Sequence, residues 1–346
     1  MRKQLPPKII PLYLPHKGCP HQCVYCNQPL VTGDEDHRSN WRRMLESIPQ
    51  HTDQNWEIAF YGGTFSGLSQ EKMYECFALV KPYIKSVKNC AIRISTRPDY
   101  VSDATLEFLW TNGVRTIELG AESFNDHVLQ RSGRGHSADN IRDACARIAA
   151  RGFTLGLHLM CGLPAQSEIS FYETVEETVR LNPDLVRISP TLVLHGTPLA
   201  KMFHRNDYQP MTIENAITQC CHAYKIFHQN NIIMARIGLA LSDQDGDGAN
   251  KVIAGPWHPA LRHEVESSLA REAITTIIKD KNETRITINP KDISIVYGAG
   301  KSNLQYWTTH LNREIKIERD RNQPRHSFSL SSGERFSLFN IPENIT

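Results

Sequence analysis

The chain lacks a long apolar run. Among its 346 residues the longest nearly apolar stretches are IIPLYL and FTLGLHLMCGL, well short of the roughly 18 uninterrupted apolar residues a membrane helix needs. No bilayer-spanning helix is expected. It also lacks net charge: 39 Lys and Arg against 37 Asp and Glu leave +2, which gives no global reason to expect nucleic acid or an acidic surface as partner. Low-complexity tracts are missing too, and 40% hydrophobic with 22% charged residues excludes a disordered or collagen-like chain. An even, regularly paired cysteine set is absent: there are nine, most of them scattered singly, which argues against a disulfide framework and for a reducing compartment. The start, MRKQLPPKII, has two prolines where a secretory apolar core would begin. A cytoplasmic location is expected.

What is present is a strand and helix alternation. Short β-branched or aromatic runs at 8–14, 57–61, 91–95, 115–120, 153–160 and 185–189 are separated by stretches at helical spacing near 37–48, 69–86, 102–112, 137–151 and 167–181. Strands joined by crossover helices run parallel. Six such units predict an α/β fold, a partial (β/α)6 TIM-type barrel whose chemistry gathers at the C-terminal ends of the strands. A helix near 212–230 and an apolar run at 231–241 are read as closing the barrel, so residues 1–260 form the large domain and 261–346 a small C-terminal α+β domain. Between Lys281 and Arg325 nine Lys and Arg face five Asp and Glu, a local +4 that leaves the rest of the chain at −2. In SDQDGDGAN, residues Asp243, Asp245, Asp247 and Gly248 imitate the start of an EF-hand loop. Ala254 stands where the bidentate Glu is needed, so the stretch reads as a solvated acidic loop.

The chemistry sits just after the first strand. GCPHQCVYCNQ spaces Cys19, Cys23 and Cys26 as C-x3-C-x2-C, and three thiolates so close can wrap one soft metal centre. A zinc site or ferredoxin needs a fourth ligand; His16 and His21 are the candidates for zinc, and no second paired C-x2-C exists. Cys76, Cys90, Cys145, Cys161, Cys220 and Cys221 sit in core-like surroundings and read as buried small hydrophobes.

C-x3-C-x2-C with Tyr25 just before the third cysteine is similar to the signature of the radical S-adenosylmethionine (SAM) superfamily. The resemblance implies that Cys19, Cys23 and Cys26 hold three irons of a 4Fe-4S cluster, with the fourth iron left for SAM, whose cleavage yields a 5′-deoxyadenosyl radical. FYGGTFS resembles the glycine pair that approaches the methionine amino group, with Gly62, Gly63 and Thr64 at the matching positions; glycine permits such an approach because it lacks Cβ. IELGAESFNDHVLQRSGRGH resembles the branch holding coproporphyrinogen dehydrogenase and the Elongator catalytic subunit. That likeness implies that Arg134 pairs with the cofactor carboxylate, and it places Glu122 where the branch usually has glutamine. HLMCGLP is similar to the segment lining the adenosine pocket, with Met160 read as core.

ISTRPDYVSDATLEFL, SGRGHS and RISPTLVLHGTPLAKMFHRNDY look closer to the Elongator subunit than to other branches, over residues 8 to 240. That family modifies wobble uridines of tRNA with the help of an acetyltransferase domain. Only 66 residues follow position 280, too few for such a domain, so acetyl transfer is not carried over. The βααβ order with GAGK between its helices resembles a KH module, whose glycine loop clamps phosphates. Gly298 and Gly300 fit it, and Lys301 replaces the final glycine. The implied partners are therefore RNA, with tRNA the expected substrate, and an electron donor such as ferredoxin or flavodoxin. The competing readings are a radical SAM enzyme on a small molecule and a non-catalytic metal-binding protein that contacts RNA. The basic N-terminal residues Arg2, Lys3 and Lys8 favour RNA.

Overall fold

A computed structural model describes residues 7–32, 38–49, 54–239, 241 and 248–340. Asp243, Asp245 and Asp247 of the EF-hand-like stretch lie outside the described residues, as do Arg2 and Lys3. The chain divides into two compact units, Met1–Met211 with Leu239–Trp257, and Thr212–Gly238 with His258–Thr346.

In the first unit the six expected strands are present: β1 (Lys8–Tyr13), β2 (Trp56–Tyr61), β3 (Cys90–Thr96), β4 (Val114–Glu122), β5 (Thr154–Cys161) and β6 (Leu185–Pro190). They lie side by side in chain order, every neighbouring pair parallel. This is the α/β arrangement of a partial TIM-type barrel. The crossover helices start where the sequence supplies caps. Ser69 accepts from Lys72 N before helix Gln70–Ser86. Ser102 does the same for Asp103–Thr111, and Ser137 and Ser167 form capping boxes for Ala138–Ala150 and Glu168–Leu181. Each cap satisfies a backbone N–H that the helix leaves orphaned.

Strand register lines up one apolar row across the sheet. Leu12 pairs with Phe60, Phe60 with Ile94, Ile94 with Ile117, and Ile117 with Leu155. All five are buried. The alternate positions carry Glu57, Arg93, Glu118, His158 and Arg187, because side chains point to opposite faces at every step. One face is thus the packed core and the other a polar inner face. After β6, Val193–Leu194 pairs antiparallel with Val252–Ala254.

The second unit takes in helix Ile213–Gln229 and strand Ile233–Ile237. Helix Leu261–Asp280 leads to β7 (Arg285–Ile288), helices Ile293–Tyr297 and Ser302–Leu311, β8 (Lys316–Arg319), β9 (Ser327–Leu330) and β10 (Arg335–Ser337). The sheet order is β8-β7-β9-β10, with β7 and β8 parallel and the other neighbours antiparallel. Asn303 and Trp307 are buried. The Asn303 amide donates to Ser267 O and Val296 O at 3.1 and 3.2 Å, tying the second short helix to the long one.

Candidate active site at the rim of the barrel

The cysteine loop leaves β1 and is stitched to the segments following other strands. His16 N donates to Gly62 O at 2.9 Å and Thr64 N to Lys17 O at 2.9 Å, fixing it to the loop after β2. Val24 N donates to Ser132 O at 3.1 Å, and Val24 O accepts from Leu199 N at 2.8 Å. Glycine is required where these chains meet: a Cβ on Gly63 would lie 2.2 Å from Lys17 O, and Gly18 has a φ of +74° with Thr64 O in the way of any Cβ. Gly62 also has a positive φ, +94°. The GGT segment therefore supports the cysteine loop from below.

All nine cysteines are free thiols. Five of the six expected in the core are buried, while Cys90 is half-buried. In the loop, Cys19 Sγ lies 3.3 Å from Thr64 Oγ1. Cys23 Sγ accepts from Arg134 Nη1 at 3.2 Å, and Cys26 N donates to Cys23 O. Burial, then the neighbouring Cys23, pushes the Cys26 thiol up to about 12. Among the described residues no three His, Cys, Asp or Glu side chains converge as the shell of a single metal ion. The two histidines considered as zinc ligands have other partners. His16 Nε2 accepts from Gln28 N at 3.1 Å, and His21 Nε2 lies 3.2 Å from Arg134 O and 3.3 Å from Arg97 Nη1.

Arg134 is the hub. It is only 6% exposed; besides Cys23 it donates through Nη2 to Gly120 O and lies 3.6 Å from Glu122 Oε1. Gly120 leaves the room for it, since a Cβ there would come within 2.8 Å of Nη2. Burial opposes the guanidinium charge, but Tyr25, Glu122 and Cys23 outweigh it and hold the proton more firmly than usual. Burial would likewise raise the Glu122 carboxyl, yet His158 and Arg134 bring it down to about 2. Glu122 is a buried carboxylate rather than a solvated charge, and its backbone is left-handed, with φ +65°.

Several buried polar atoms here have no partner: Tyr25 Oη, Arg134 Nε and both ring nitrogens of His136. Burial, with Arg134 and Arg97 adding repulsion, lowers His136 to about 4. Orphaned polar groups are rare in folded interiors and cluster where a ligand belongs. With three thiols, a cationic donor to one of them and a cradle that admits only glycine, these residues fit an iron-sulfur cluster with SAM beside it.

The structure thus brings Cys19, Cys23, Cys26, Tyr25, Gly62, Gly63, Thr64, Glu122 and Arg134 into the first unit's rim region. Gly298, Gly300 and Lys301 belong to the second unit. There Gly300 and Lys301 are exposed with φ +57° and +64°, and a Cβ on Gly300 would meet nothing within 4 Å.

Sequence reading missed the inner face. Arg93 bridges two carboxylates, donating through Nε to Glu57 at 2.8 Å and through Nη1 to Glu118 at 2.6 Å. Glu118 also accepts from Arg187 at 2.9 Å and from Tyr61 Oη at 2.8 Å. The available signal was charge at alternate positions of otherwise apolar strands, in EIAFY, AIRIS, RTIELG and LVRIS.

Comparison with known proteins agrees with this geometry. The family profile described as Radical SAM superfamily matches residues 13–178, and one described as Radical_SAM C-terminal domain matches residues 183–271. A tRNA uridine(34) acetyltransferase of Methanocaldococcus infernus is 32% identical over 139 residues, covering 39% of this chain and 26% of that protein. Elongator complex protein 3 of Bos taurus is 26% identical over 247 residues, covering 56% of this chain and 44% of its own length. The chain therefore spans between a quarter and a half of these relatives. A solved structure of archaeal Methanocaldococcus infernus Elp3 with an N-terminal deletion shares the fold, with a TM-score of 0.59 and 22% identity over 77% of this chain and 63% of that one. No helix among the described residues is long and apolar enough to cross a membrane. Motif, fold and both profiles lead to one assignment: the chain is an enzyme that belongs to the radical SAM superfamily.

Proposed function

We propose that Cys19, Cys23 and Cys26 hold a 4Fe-4S cluster, that SAM binds beside it, and that the enzyme acts in the modification of tRNA. The observation that carries the first part is the Arg134 hub, a buried guanidinium tied to Cys23 and Glu122 and surrounded by polar atoms without partners. When bound, the cluster supplies the electron that cleaves SAM to the hydrogen-abstracting 5′-deoxyadenosyl radical.

The chain's own residues bind, orient and exclude water. Arg134 offers a guanidinium fork suited to a carboxylate, with Glu122 and Gly120 O setting its plane. Gly62, Gly63 and Thr64 present backbone where a side chain would block approach. Tyr25, packed among Val128, Met160 and Leu163, closes the cysteine loop against solvent with an apolar ring and an unpaired hydroxyl.

Support for tRNA comes from the names of the relatives and from the second unit, whose exposed Gly300–Lys301 turn lies in the basic stretch of the chain. Backbone N–H groups and a lysine are chemically suited to phosphates. The acetyl chemistry named in one relative is not extended to this chain.

Anaerobic reconstitution with iron, sulfide, reductant and SAM tests the first part: 5′-deoxyadenosine is expected from the wild type and not from Cys19→Ala, Cys23→Ala or Cys26→Ala proteins. Equal formation by the variants overturns it. Binding of unfractionated tRNA, measured against salt, tests the second. The logarithmic salt slope is expected to fall by about one for each phosphate-contacting lysine removed, Lys301→Ala included. A slope of zero in the wild type favours a small-molecule substrate.

A further inference from the structure

On the polar face of the sheet, Glu122 of β4, His158 of β5 and Ser189 of β6 stand in a row. Glu122 Oε2 lies 2.9 Å from His158 Nδ1, and His158 Nε2 lies 2.9 Å from Ser189 Oγ. We propose that these three residues form a proton relay open to the barrel interior, with His158 as the base for an O–H or N–H group of a molecule bound there. This role is additional to the cofactor contacts described above, and it does not depend on them.

Three features distinguish the row from incidental hydrogen bonding. First, the backbone is bent to build it. The β4–β5 register skips between Gly120 and Glu122, and Glu122 has the left-handed conformation that a non-glycine residue seldom adopts. A bulge is a known way of re-aiming a side chain beside an active site. Second, the roles are ordered. An ionised Glu122 can only accept, so it selects the tautomer with the proton on Nδ1, which leaves the Nε2 lone pair toward Ser189. Third, the proton-accepting middle of the row is its accessible member. Glu122 and Ser189 are buried, whereas the His158 side chain is 30% exposed.

The Glu122 contact is short but bent, for Oε2 makes no aligned hydrogen bond. Such contacts commonly straighten when a substrate arrives. The positive charge gained by His158 on taking a proton is what would draw the carboxylate into line.

The proton balance is simple. The Ser189 hydroxyl proton passes to Nε2 as a proton from the bound O–H or N–H passes to Oγ. The electron pair of the broken bond stays on the bound molecule, and the imidazolium is stabilised by Glu122, a positioning residue. No oxidant or reductant takes part. A small ester makes the same transfer visible: as the Ser189 proton reaches Nε2, Oγ adds to the acyl carbon and nitrophenolate leaves. Water then releases acetate and restores the hydroxyl.

The test uses full-length protein without cluster or SAM, so failure of the radical reading leaves it intact. Histidine ring-nitrogen NMR, with His158→Gln assigning the signal, is expected to show His158 as the Nδ1-protonated tautomer in wild type, and mixed tautomers in Glu122→Gln. Hydrolysis of p-nitrophenyl acetate at neutral pH, with acetylation located by mass spectrometry, is expected to fall by about tenfold or more in His158→Gln and Ser189→Ala. Ser189→Thr, which keeps the hydroxyl, should restore part of it. An Nε2-protonated His158, or equal hydrolysis in wild type, His158→Gln and Ser189→Ala proteins of unchanged circular dichroism, overturns the proposal.

Discussion

The six parallel strands of the first unit present two faces that are built from the same strands but held by different physics. On the outer face Leu12, Phe60, Ile94, Ile117 and Leu155 form one apolar row, and each contributes by the surface it removes from water, at about 25 cal/mol per Å². On the inner face Glu57, Arg93, Glu118 and Arg187 share their partners. The difference is one of divisibility. Outer stability can be lost a methylene at a time, whereas removing one inner charge strands the others in a place where water cannot replace it.

The largest expected effect is therefore on the inner face. Arg93→Met should destabilise the protein by about 3–5 kcal/mol in urea denaturation, because Glu57 and Glu118 lose a buried partner together. A loss no larger than that of a single outer methyl would erase the contrast between the faces.

A pH series sharpens it. His136 titrates near 4 in the folded state, below the usual 6.5 of an unfolded histidine. The unfolded chain therefore binds more protons between those values, and stability falls as pH drops from about 6.5 to 4. His136→Phe should remove up to roughly 3 kcal/mol of that fall, and identical pH profiles would show that the ring is not held neutral. Glu122 works in the same sense at lower pH. Its stabilisation is present above about pH 4.5 and is lost as pH falls toward 2.

The smaller effects belong outside the charged face. Ile94→Val should cost about 1 kcal/mol, read as a shift in denaturation midpoint with unchanged slope. In the second unit Gly300→Ala has open space around the new Cβ but a φ of +57°, so about 1 kcal/mol is expected from backbone strain alone. A larger loss there would reveal a steric role for the GAGK turn.

These contrasts also show how far the sequence could be read. The strands were legible because β-branched and aromatic runs separated by stretches at helical spacing leave little choice of element. The cysteine loop was legible because C-x3-C-x2-C is local. The inner face was not. Glu118, His158 and Arg187 are tens of residues apart, and only strand register makes them neighbours. Arg134 was recognised by resemblance, but its contacts with Gly120 O and Glu122 depend on a bulge that no propensity encodes.

The stitching of the cysteine loop has a thermodynamic consequence. His16, Thr64, Val24 and Leu199 anchor that loop by backbone bonds to segments that follow three other strands. The entropy of ordering the loop is lost when the polypeptide folds, not when its ligand arrives. Affinity at this rim is accordingly spared the discount that a coupled folding and binding site suffers. A chelator that strips the thiols should leave a folded receptor that can be reloaded, rather than an unfolded chain.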